Sequence, residues 1–515
     1  DPETGTVSTG WDSLNWFWED MYQTVVKVYK DNGVKSKPRF VGLNLMVYDE
    51  NVMDNYIKFC VERDCMPDVI AWHDLATWQF DNFEKEYRHY RSLEKKYGIE
   101  TPREIVINEY DDQYECASPG DMVRWIGLLE EYNVSGCTAY WHFSNHLNGL
   151  AADNNEGNGA WWLYKWYGDM SGQYLPIQVS NAEKNDFYGT ASLDNNKKSA
   201  NVVFGGVNGS GNVVLDEIDK TETFKGADKV HIKLESTDYT GFHGAAEEPR
   251  VVKEGAVKVV DGKAVIPLSD MLDMSGYRIT VTKATKDEPE GFLSSTWKEQ
   301  YEAEEGALFG GAALSQETRN ACSGKSKVGW IWGPQDGVDI QVTVPKDGYY
   351  KYDMVYTAGN GCNTANPEEN TPYTAYQNLL IDGKQTETMV LPTTFGFQLG
   401  GMYSTWLQLS AGTHTIRIVG TDQLRSADVD CIYLTYKGPE KSDTEFHKVY
   451  EAELAEFNEL IGNKTSLTTK REGNVDYVSG LEKTSVTKGG GLRVNVIVPE
   501  NGMYTLKLRY ASETA

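Results

Sequence analysis

Residues 1–172 alternate between two kinds of hydrophobic pattern. Apolar side chains recur at helical spacing over residues 15–31, 51–63, 82–97, 120–132 and 159–170. Short, nearly continuous apolar runs lie between them at residues 39–45, 68–72, 104–108 and 137–143. Apolar strands that alternate with amphipathic helices predict a parallel sheet buried on both faces. Four such steps form half of a (β/α)8 barrel or a small open sheet, and the pattern alone leaves both open.

Between residues 173 and 285 the helical period disappears. Alternating runs such as SANVVFGGVNG, DKVHIKLEST and YRITVTKA are separated by Gly and Asn turns, a pattern typical of antiparallel strands. We therefore predict an antiparallel β-sandwich domain here. The acidic, Pro-containing stretch TKDEPEG at 285–291 is the best linker candidate.

The rest of the chain contains an internal repeat. YEAE at 301–304 returns at 450–453, and DIQVTVPKDGYYKYDMVYTA at 339–358 returns as LRVNVIVPENGMYTLKLRYAS at 492–512. The first copy closes with AGTHTIRIVG and DVDCIYLTY, whereas the sequence stops before any equivalent in the second. We predict two β-sandwich modules, at 292–438 and 446–515, the second of them truncated.

Length and charge narrow the class of protein. At 515 residues the chain is too long for one core, and about 100–200 residues per domain suggests roughly three or four units. The formal net charge of −27 repels phosphate groups, so we expect neither nucleic acid nor a membrane as partner. Seven irregularly spaced cysteines without a CxxC pair argue against a zinc ribbon or a disulfide framework.

Polar and aromatic residues follow three of the predicted parallel strands. They are Trp72-His73-Asp74, Asn108-Glu109-Tyr110 and Tyr140-Trp141-His142. In a parallel barrel, functional side chains project from the carboxyl ends of the strands. A carboxylate there can attack an anomeric carbon, and Glu109 fits this role best. The alternatives are that Glu109 is a solvated loop residue or a helix cap, and that each Trp belongs to the core.

The order of these motifs resembles a known family. The runs FWEDMYQTVVKVYK, RFVGLNL, DVIAWHDL, IVINEYDD, CTAYWHF and GAWWLYKWYGDMSG are similar to the second half of the clan A glycoside hydrolases, nearest to family 39 of β-xylosidases and relatives. The resemblance implies that Glu109 is the nucleophile of a retaining enzyme and that His73 lies beside it. Substrate contacts are then expected from a set of neighbouring residues: Trp72, Tyr110, Trp141 and His142.

The chain departs from that family at its start. The family carries its acid/base Glu in an Asn-Glu-Pro motif after the fourth barrel strand, and this chain opens with Asp1-Pro2-Glu3 where such a motif would be ending. We therefore expect the acid/base residue upstream of Asp1 or, less favoured, at Glu3. The first three barrel strands have no counterpart, and both natural termini are expected to be missing.

The repeats resemble carbohydrate-binding modules of families 6 and 35, over residues 297–437 and partially over 448–515. Their shared features are the YEAE strand start, the VPKDGYY strand and the closing DVDCIYL strand. Such modules are jelly-roll sandwiches with a structural calcium, which takes about six to eight oxygen ligands. The resemblance implies ligands from Glu302, Glu304, Asp430 and a carbonyl near Lys325, and from Glu451 and Glu453 in the second copy.

Two further expectations concern this module. The Glu-x-Glu alternation would place Glu302 and Glu304 on one face of one strand, with exposed strand-edge acids as the alternative. Sugar-binding candidates are Trp330, Trp332 and Trp406; the first two would alternate on one strand, and one of them could be core. The second copy has no Trp in this region, so its ligand site must differ.

These patterns predict a secreted or cell-surface enzyme of bacterial type that acts on polysaccharide or its oligosaccharides. We expect a β-xylosidase-like activity, calcium-stabilised binding modules and no organic cofactor. The alternative is a non-catalytic carbohydrate-binding or adhesion protein with a degenerate barrel. An open-sheet transferase is disfavoured, since no Gly-rich phosphate loop follows any of the four strands.

We predict that the chain on its own does not hydrolyse aryl glycosides. Retaining hydrolysis needs two carboxyl groups about 5–5.5 Å apart, and the resemblance assigns only the nucleophile to a clear position in this sequence. Release of nitrophenol from aryl glycosides by the purified chain measures this, and turnover above the buffer rate would contradict it.

Overall fold

A computed structural model describes most of the chain. The described residues are 10–139, 147, 149–151, 156–180, 187–241, 244–293, 296–316, 322–358, 375–391, 394 and 396–440, and, further on, 456–457, 466–468, 477–479, 483–485, 488–489, 492–493, 496, 498, 504, 506 and 508. They fall into two compact units. The amino-terminal unit draws on residues 1–295 and 317–325, and the carboxy-terminal unit on 296–316 and 326–515.

Within the described residues, the amino-terminal unit begins with helices and parallel strands in alternation. The helices are α1 Trp11–Asp31, α2 Glu50–Glu62, α3 Thr77–Lys96, α4 Pro119–Glu131 and α5 Gly159–Asp169; the strands are β1 Val41–Leu45, β2 Val69–Asp74, β3 Glu104–Tyr110 and β4 Ser135–Thr138. The predicted helices and the first three predicted strands of this part are confirmed, with ends shifted by a few residues; the fourth strand ends at Thr138, and residues 140–143 of its predicted range lie outside the described residues.

The four strands pair in parallel in the order β1-β2-β3-β4. A doubly wound sheet reverses its strand order at a switch point, whereas a (β/α)8 barrel keeps the strands in sequence order. The observed order is therefore the one that the barrel interpretation requires. Closure of a complete barrel stays a prediction.

Side-chain caps fix where three of the helices begin. Asp49 Oδ1 accepts hydrogen bonds from the amides of Asn51 and Val52 at the start of α2, both at 2.9 Å. Ser118 caps α4, which has a proline in its first turn, and Asn158 caps α5. Such caps satisfy amides that have no partner inside the helix. Each loop that leaves the carboxyl end of β1 or β3 therefore ends at a defined point.

The helices pack on one face of the parallel sheet. The largest fully buried side chains of this core include Trp72, Trp125, Tyr56, Tyr90 and Phe83. They come from strands and helices alike, and their rings meet at tilted or edge-to-face angles, as between Trp72 and Phe83. This core fixes which face of each strand is left for the functional site.

The second part of the amino-terminal unit is antiparallel. Its strands are β5 Gln173–Leu175, β6 Tyr188–Asp194, β7 Ser199–Gly205, β8 Gly209–Leu215, β9 Lys229–Thr237, β10 Arg250–Lys258, β11 Ala264–Met271, β12 Gly276–Lys283 and β13 Gly291–Leu293. They form a seven-stranded sheet, β13-β10-β9-β12-β7-β6-β5, and a pair, β11-β8, around a common apolar core. The antiparallel strands predicted for this region are confirmed, whereas a separate β-sandwich domain at 173–285 stays a prediction, because these strands belong to the same compact unit as the parallel sheet.

This sheet lies directly against α4. A Cβ atom on Gly127 of α4 would come within 2.7 Å of the backbone nitrogen of Gly189 in β6, so only glycine allows this approach. Arg278 of β12 lies over the ring of Trp166 in α5. The parallel sheet, its helices and the antiparallel sheet thus share continuous packing.

The predicted linker at 285–291 is attached to the antiparallel sheet. Glu288 Oε1 lies 2.6 Å from His231 Nδ1 of β9, and Lys229 Nζ donates to the carbonyl of Lys286 at 3.3 Å. β13, which starts at the end of this stretch, pairs with β10. The acidic composition of the stretch 285–291 therefore reflects contacts with basic groups of β9 as well as exposure to solvent.

The carboxy-terminal unit is an antiparallel sandwich. Its strands are β14 Lys298–Glu302, β15 Ala307–Phe309, β16 Ala313–Gln316, β17 Ser326–Gly329, β18 Gly337–Val344, β19 Gly348–Ala358, β20 Ala375–Ile381, β21 Lys384–Leu391, β22 Gly396–Leu409, β23 Gly412–Gly420 and β24 Ala427–Gly438. One sheet has the order β16-β17-β24-β19-β22 with β14 on β24, and the other β15-β18-β23-β20-β21. Both face one apolar core, as in the predicted sandwich, and its bounds at 292–438 stay a prediction.

In the second copy of the repeat the described residues form short pairs only. They are β25 Glu456–Phe457, β26 Ser466–Thr468, β27 Tyr477–Ser479, β28 Lys483–Ser485, β29 Lys488–Gly489 and β30 Leu492–Arg493. The second module stays a prediction. Among the helices that the structure describes, none combines the length and apolar character needed to cross a membrane.

Candidate functional site

Four polar side chains meet at the carboxyl ends of β1, β2 and β3. Glu109 Oε2 lies 3.2 Å from His73 Nδ1. On its other side, the His73 ring places Nε2 3.0 Å from Asn44 Oδ1, and Asn108 Nδ2 also donates to that oxygen. The structure therefore brings the two residues that the sequence singled out, Glu109 and His73, into one cluster with two asparagines.

Local irregularities of the strands turn these side chains toward one another. The register between β1 and β2 shifts around Asn44, which has a left-handed backbone with φ of 68°. The register between β2 and β3 shifts so that His73 pairs with Glu109, which leaves Asn108 as an extra residue. Bulges of this kind often re-aim side chains beside active sites, and Asn tolerates the left-handed region better than most residues.

The cluster is polar and partly open to solvent. The Glu109 side chain is 43% exposed and the His73 side chain 14%. His73 Nε2 faces Asn44 Oδ1, which leaves Nδ1 as the ring atom that faces the Glu109 carboxylate. The arrangement holds one side of the carboxylate and leaves the other accessible to a ligand.

Gln79 of α3 supports the cluster from behind. Its side-chain amide donates to the carbonyls of His73 at 3.0 Å and Met46 at 3.4 Å, and its oxygen accepts from the amide of Leu75 at 2.8 Å. Gln79 is almost completely buried. One side chain thus ties together the backbone at the carboxyl ends of β1 and β2, the strands that carry Asn44 and His73.

A pair of buried carboxyl groups lies beneath His73. Burial and, next, the nearby Glu86 carboxylate raise the pKa of Asp74 well above its ordinary value. Burial also raises the pKa of Glu86 to about 7. Because two adjacent carboxylates without solvent repel each other, this pair retains a proton near neutral pH.

Two expected substrate contacts are wrong in this structure. Trp72 is 0% exposed and packs against Tyr48 and Phe83, and Tyr110 is buried with its hydroxyl 2.7 Å from that of Tyr164. Successive residues of a strand point to opposite faces, so the neighbours of His73 and Glu109 face the helices. Both aromatic residues belong to the core.

Three further predicted residues lie outside the described residues: Glu3, Trp141 and His142. The sequence pattern assigned no role to Asn44, Asn108 or Gln79. For Asn44 a signal existed, because one polar residue interrupts an otherwise apolar strand in VGLNL. An exposed aromatic ring, that of Trp78 at 52%, lies in the first turn of α3, just after β2.

A second cluster lies in the carboxy-terminal unit. Glu302 ends β14 opposite Cys431 of β24, and the ligand atoms of Glu302, Asp430 and Cys431 lie within 4.8 Å of one another. Asp430 is fully buried, and Gln300 Nε2 donates to Glu302 Oε1 at 2.7 Å. Two of the predicted calcium ligands are thus adjacent.

The other predicted ligands differ in their positions. Glu304 does not continue β14 but lies in a single 3-10 turn, Ala303–Glu305, so the expected alternation of Glu302 and Glu304 on one strand is wrong. Lys325 belongs to the amino-terminal unit, and its carbonyl as a ligand stays a prediction. Glu451 and Glu453 lie outside the described residues.

The predicted strand alternation of Trp330 and Trp332 is also wrong. β17 ends at Gly329, Trp330 has φ of 59°, and the amide of Trp332 donates to the carbonyl of Trp330 at 3.0 Å. Both rings are about half exposed, at 49% and 45%, and the intervening Ile331 is buried. Trp406 lies on β22, opposite Lys351 of β19. In this sheet β22 is three strands away from β17, which is a distance of about 14 Å.

Relatives in sequence are glycoside hydrolases. The chain is 28% identical over 463 residues to 3-O-alpha-D-galactosyl-alpha-L-arabinofuranosidase of Bifidobacterium longum subsp. longum. This match covers 82% of the chain and 39% of that enzyme. It is 26% identical over 471 residues to 3-O-beta-L-arabinopyranosyl-alpha-L-arabinofuranosidase of Bifidobacterium pseudocatenulatum, covering 81% and 45%. The chain thus spans less than half the length of these relatives.

Comparison with solved structures gives partial matches. The N2152 protein of Neocallimastix frontalis is 32% identical with a TM-score of 0.47, covering 53% of this chain and 66% of that one. A family 35 carbohydrate-binding module of Clostridium thermocellum is 25% identical with a TM-score of 0.24, covering 27% and 98%. No family model matches the sequence.

We predict that Trp72→Ala lowers the free energy of unfolding of the amino-terminal unit by roughly 3–5 kcal/mol, since it removes a fully buried ring. Urea denaturation followed by circular dichroism measures this. The matched control is Trp78→Ala, which removes an exposed ring and should change stability by less than about 0.5 kcal/mol. Equal effects of the two substitutions would contradict the core assignment of Trp72.

Proposed function

We propose that the chain is the nucleophile-bearing part of a retaining glycoside hydrolase that acts on arabinofuranosyl groups of polysaccharides or their oligosaccharides. The observation that carries this proposal is the cluster of Glu109 with His73, Asn44 and Asn108 at the carboxyl ends of adjacent parallel strands. Functional groups of barrel enzymes lie at this end of the sheet. The relatives supply the reaction class.

The names of the relatives bear on the sugar. Both are described as α-L-arabinofuranosidases that also recognise a second sugar on the arabinose, which favours an α-L-arabinofuranoside over the β-xyloside suggested by the family 39 resemblance. The resemblance to family 39 remains part of this proposal for the mechanism. It implies a covalent glycosyl-enzyme intermediate.

Each residue of the cluster has a role in this proposal. Glu109 attacks the anomeric carbon from its solvent-accessible side, and its carboxylate later leaves when water hydrolyses the intermediate. His73 holds the carboxylate by its Nδ1 contact, while Asn44 fixes the ring through Nε2. Asn108 is available to bind a sugar hydroxyl. The acid/base carboxyl group belongs to a residue outside those that the structure describes, Glu3 or one upstream.

We further propose that the sandwich at 292–438 binds carbohydrate and a structural calcium. The donor set fits a hard cation: Glu302 and Asp430 bring carboxylate oxygens together, with Glu304 two residues after Glu302. The Cys431 thiol is too soft to be a calcium ligand, so backbone and carboxylate oxygens would complete the shell. Trp330 and Trp332 offer exposed rings for stacking on sugar.

The exposed tryptophans also support the second candidate function, a carbohydrate-binding or adhesion protein without catalysis. In that case Glu109 would not be needed for any ligand of the amino-terminal unit. Polysaccharide substrates do not enter cells, so either function implies action outside the cell.

We predict that an iminosugar of arabinofuranose configuration binds beside Glu109. Its protonated nitrogen mimics the cationic transition state and pairs with the nucleophile. Titration should shift the His73 ring signals in NMR spectra of the chain, assigned by their absence in His73→Asn. Glu109→Gln should abolish the shift. This readout does not depend on turnover.

The matched control for this titration is Glu104→Gln. Glu104 lies at the amino end of the same strand, where it pairs with Arg39, far from the cluster. The shift should persist in this variant. No shift in the unsubstituted chain would favour the non-catalytic alternative, and a shift that survives Glu109→Gln would remove Glu109 as the nucleophile.

We predict that Glu302→Gln lowers the number of calcium ions bound per chain by one, since it neutralises a carboxylate of the cluster. Calorimetric titration after chelation measures this, followed by arabinan, xylan and galactan oligosaccharides. Glu299→Gln is the control, because Glu299 is an exposed residue on the same strand. Unchanged calcium binding in Glu302→Gln would refute this site.

A further inference from the structure

Two cysteines lie at the carboxyl end of α2, away from the site described above. The amide of Cys65 donates to the carbonyl of Cys60 at 3.0 Å, and that of Asp64 to the carbonyl of Val61 at 3.5 Å, with φ of 51° at Asp64. This is the Schellman pattern of helix termination, with a left-handed residue after the helix. In that pattern the side chains in the positions of Cys60 and Cys65 touch.

The backbone distance suits a disulfide bond. A path from the Cα of Cys60 through its carbonyl oxygen, across the 3.0 Å hydrogen bond and through the amide nitrogen of Cys65 limits the Cα–Cα separation to about 7 Å. Disulfides span roughly 4.4–6.8 Å between Cα atoms. The indole of Trp18 holds the segment from the other side by donating to the carbonyl of Cys65 at 2.8 Å.

The two thiols also differ in acidity. A hydrogen bond from Cys60 lowers the pKa of Cys65 despite its burial, whereas burial and the same contact raise the pKa of Cys60. Cys65 is therefore the better nucleophile of the pair and Cys60 the resolving thiol.

We propose that Cys60 and Cys65 are a redox modification site that forms an intramolecular disulfide with a small disulfide oxidant such as oxidised glutathione. The Cys65 thiolate attacks one sulfur of the oxidant, forms a mixed disulfide and releases one glutathione thiolate. Cys60 then gives up its proton, attacks the Cys65 sulfur and releases the second glutathione. The oxidant is reduced to two thiols while the chain loses two hydrogens.

A contact between two small apolar groups would satisfy the Schellman pattern without any chemistry. Two cysteines in these positions can also form a disulfide bond, and that bond formation is testable. The corner lies at the surface, since Val61 and Asp64 next to the pair are exposed. Both cysteines are buried, so the reaction requires local opening of this helix end to admit the oxidant.

The test is oxidation of the folded chain by oxidised glutathione, then alkylation of free thiols, digestion with trypsin and mass spectrometry. Trypsin cuts after Lys58, Arg63 and Lys85, so Cys60 and Cys65 fall in separate peptides, 59–63 and 64–85. We expect these peptides to be joined, at about 2 Da less than their summed masses. Reduction should separate them.

The background variant is Cys137→Ser, because exposed Cys137 could link two chains. Cys116→Ser removes a buried cysteine elsewhere in the unit and should leave the joined peptides unchanged, whereas Cys60→Ala and Cys65→Ala should abolish them. Alkylation of both cysteines after oxidation would overturn the proposal. So would linkage of either one to another cysteine. If a variant fails to fold, the mass spectrum of the wild-type chain still shows whether the two peptides are joined.

Discussion

The packing of helices on one face of the parallel sheet is the constraint on which the site depends. It takes up Trp72 and Tyr110, and so leaves the opposite face of β2 and β3 to His73 and Glu109. Strand alternation alone would not align these two residues, since the register shift at Asn108 is needed to pair them. The bulges are therefore part of the site and not defects of the sheet.

The sequence predicted the elements and the order of this part because a strand buried on both faces and an amphipathic helix have distinct periods. It also predicted Glu109 and His73, since a polar residue just after an apolar run is conspicuous. It could not assign side chains to faces near the strand ends. Trp72 was expected at the sugar because it stands near a strand end beside His73, although alternation with His73 places it in the core.

The same limit explains the errors in the sandwich. Glu-x-Glu and Trp-x-Trp both suggest strand alternation, yet β14 ends at Glu302, two residues before Glu304, and β17 ends at Gly329, before either tryptophan. Turn conformations such as the left-handed Trp330 are decided by tertiary contacts that a periodicity does not contain. Both tryptophans are exposed as the pattern suggested, but the cause is the turn at Trp330 and not strand alternation.

Helix α3 connects the geometry of the site to protonation. It carries Gln79, which binds the carbonyl of His73, and Glu86, which shares the buried proton with Asp74. Because the pKa of Glu86 rises from 4.5 in the unfolded chain to about 7, the folded state holds an extra proton between these values. Stability from this group therefore falls as the pH rises through that window, and its full cost is present above pH 7. Burial of Glu86 therefore destabilises the folded state least below that window.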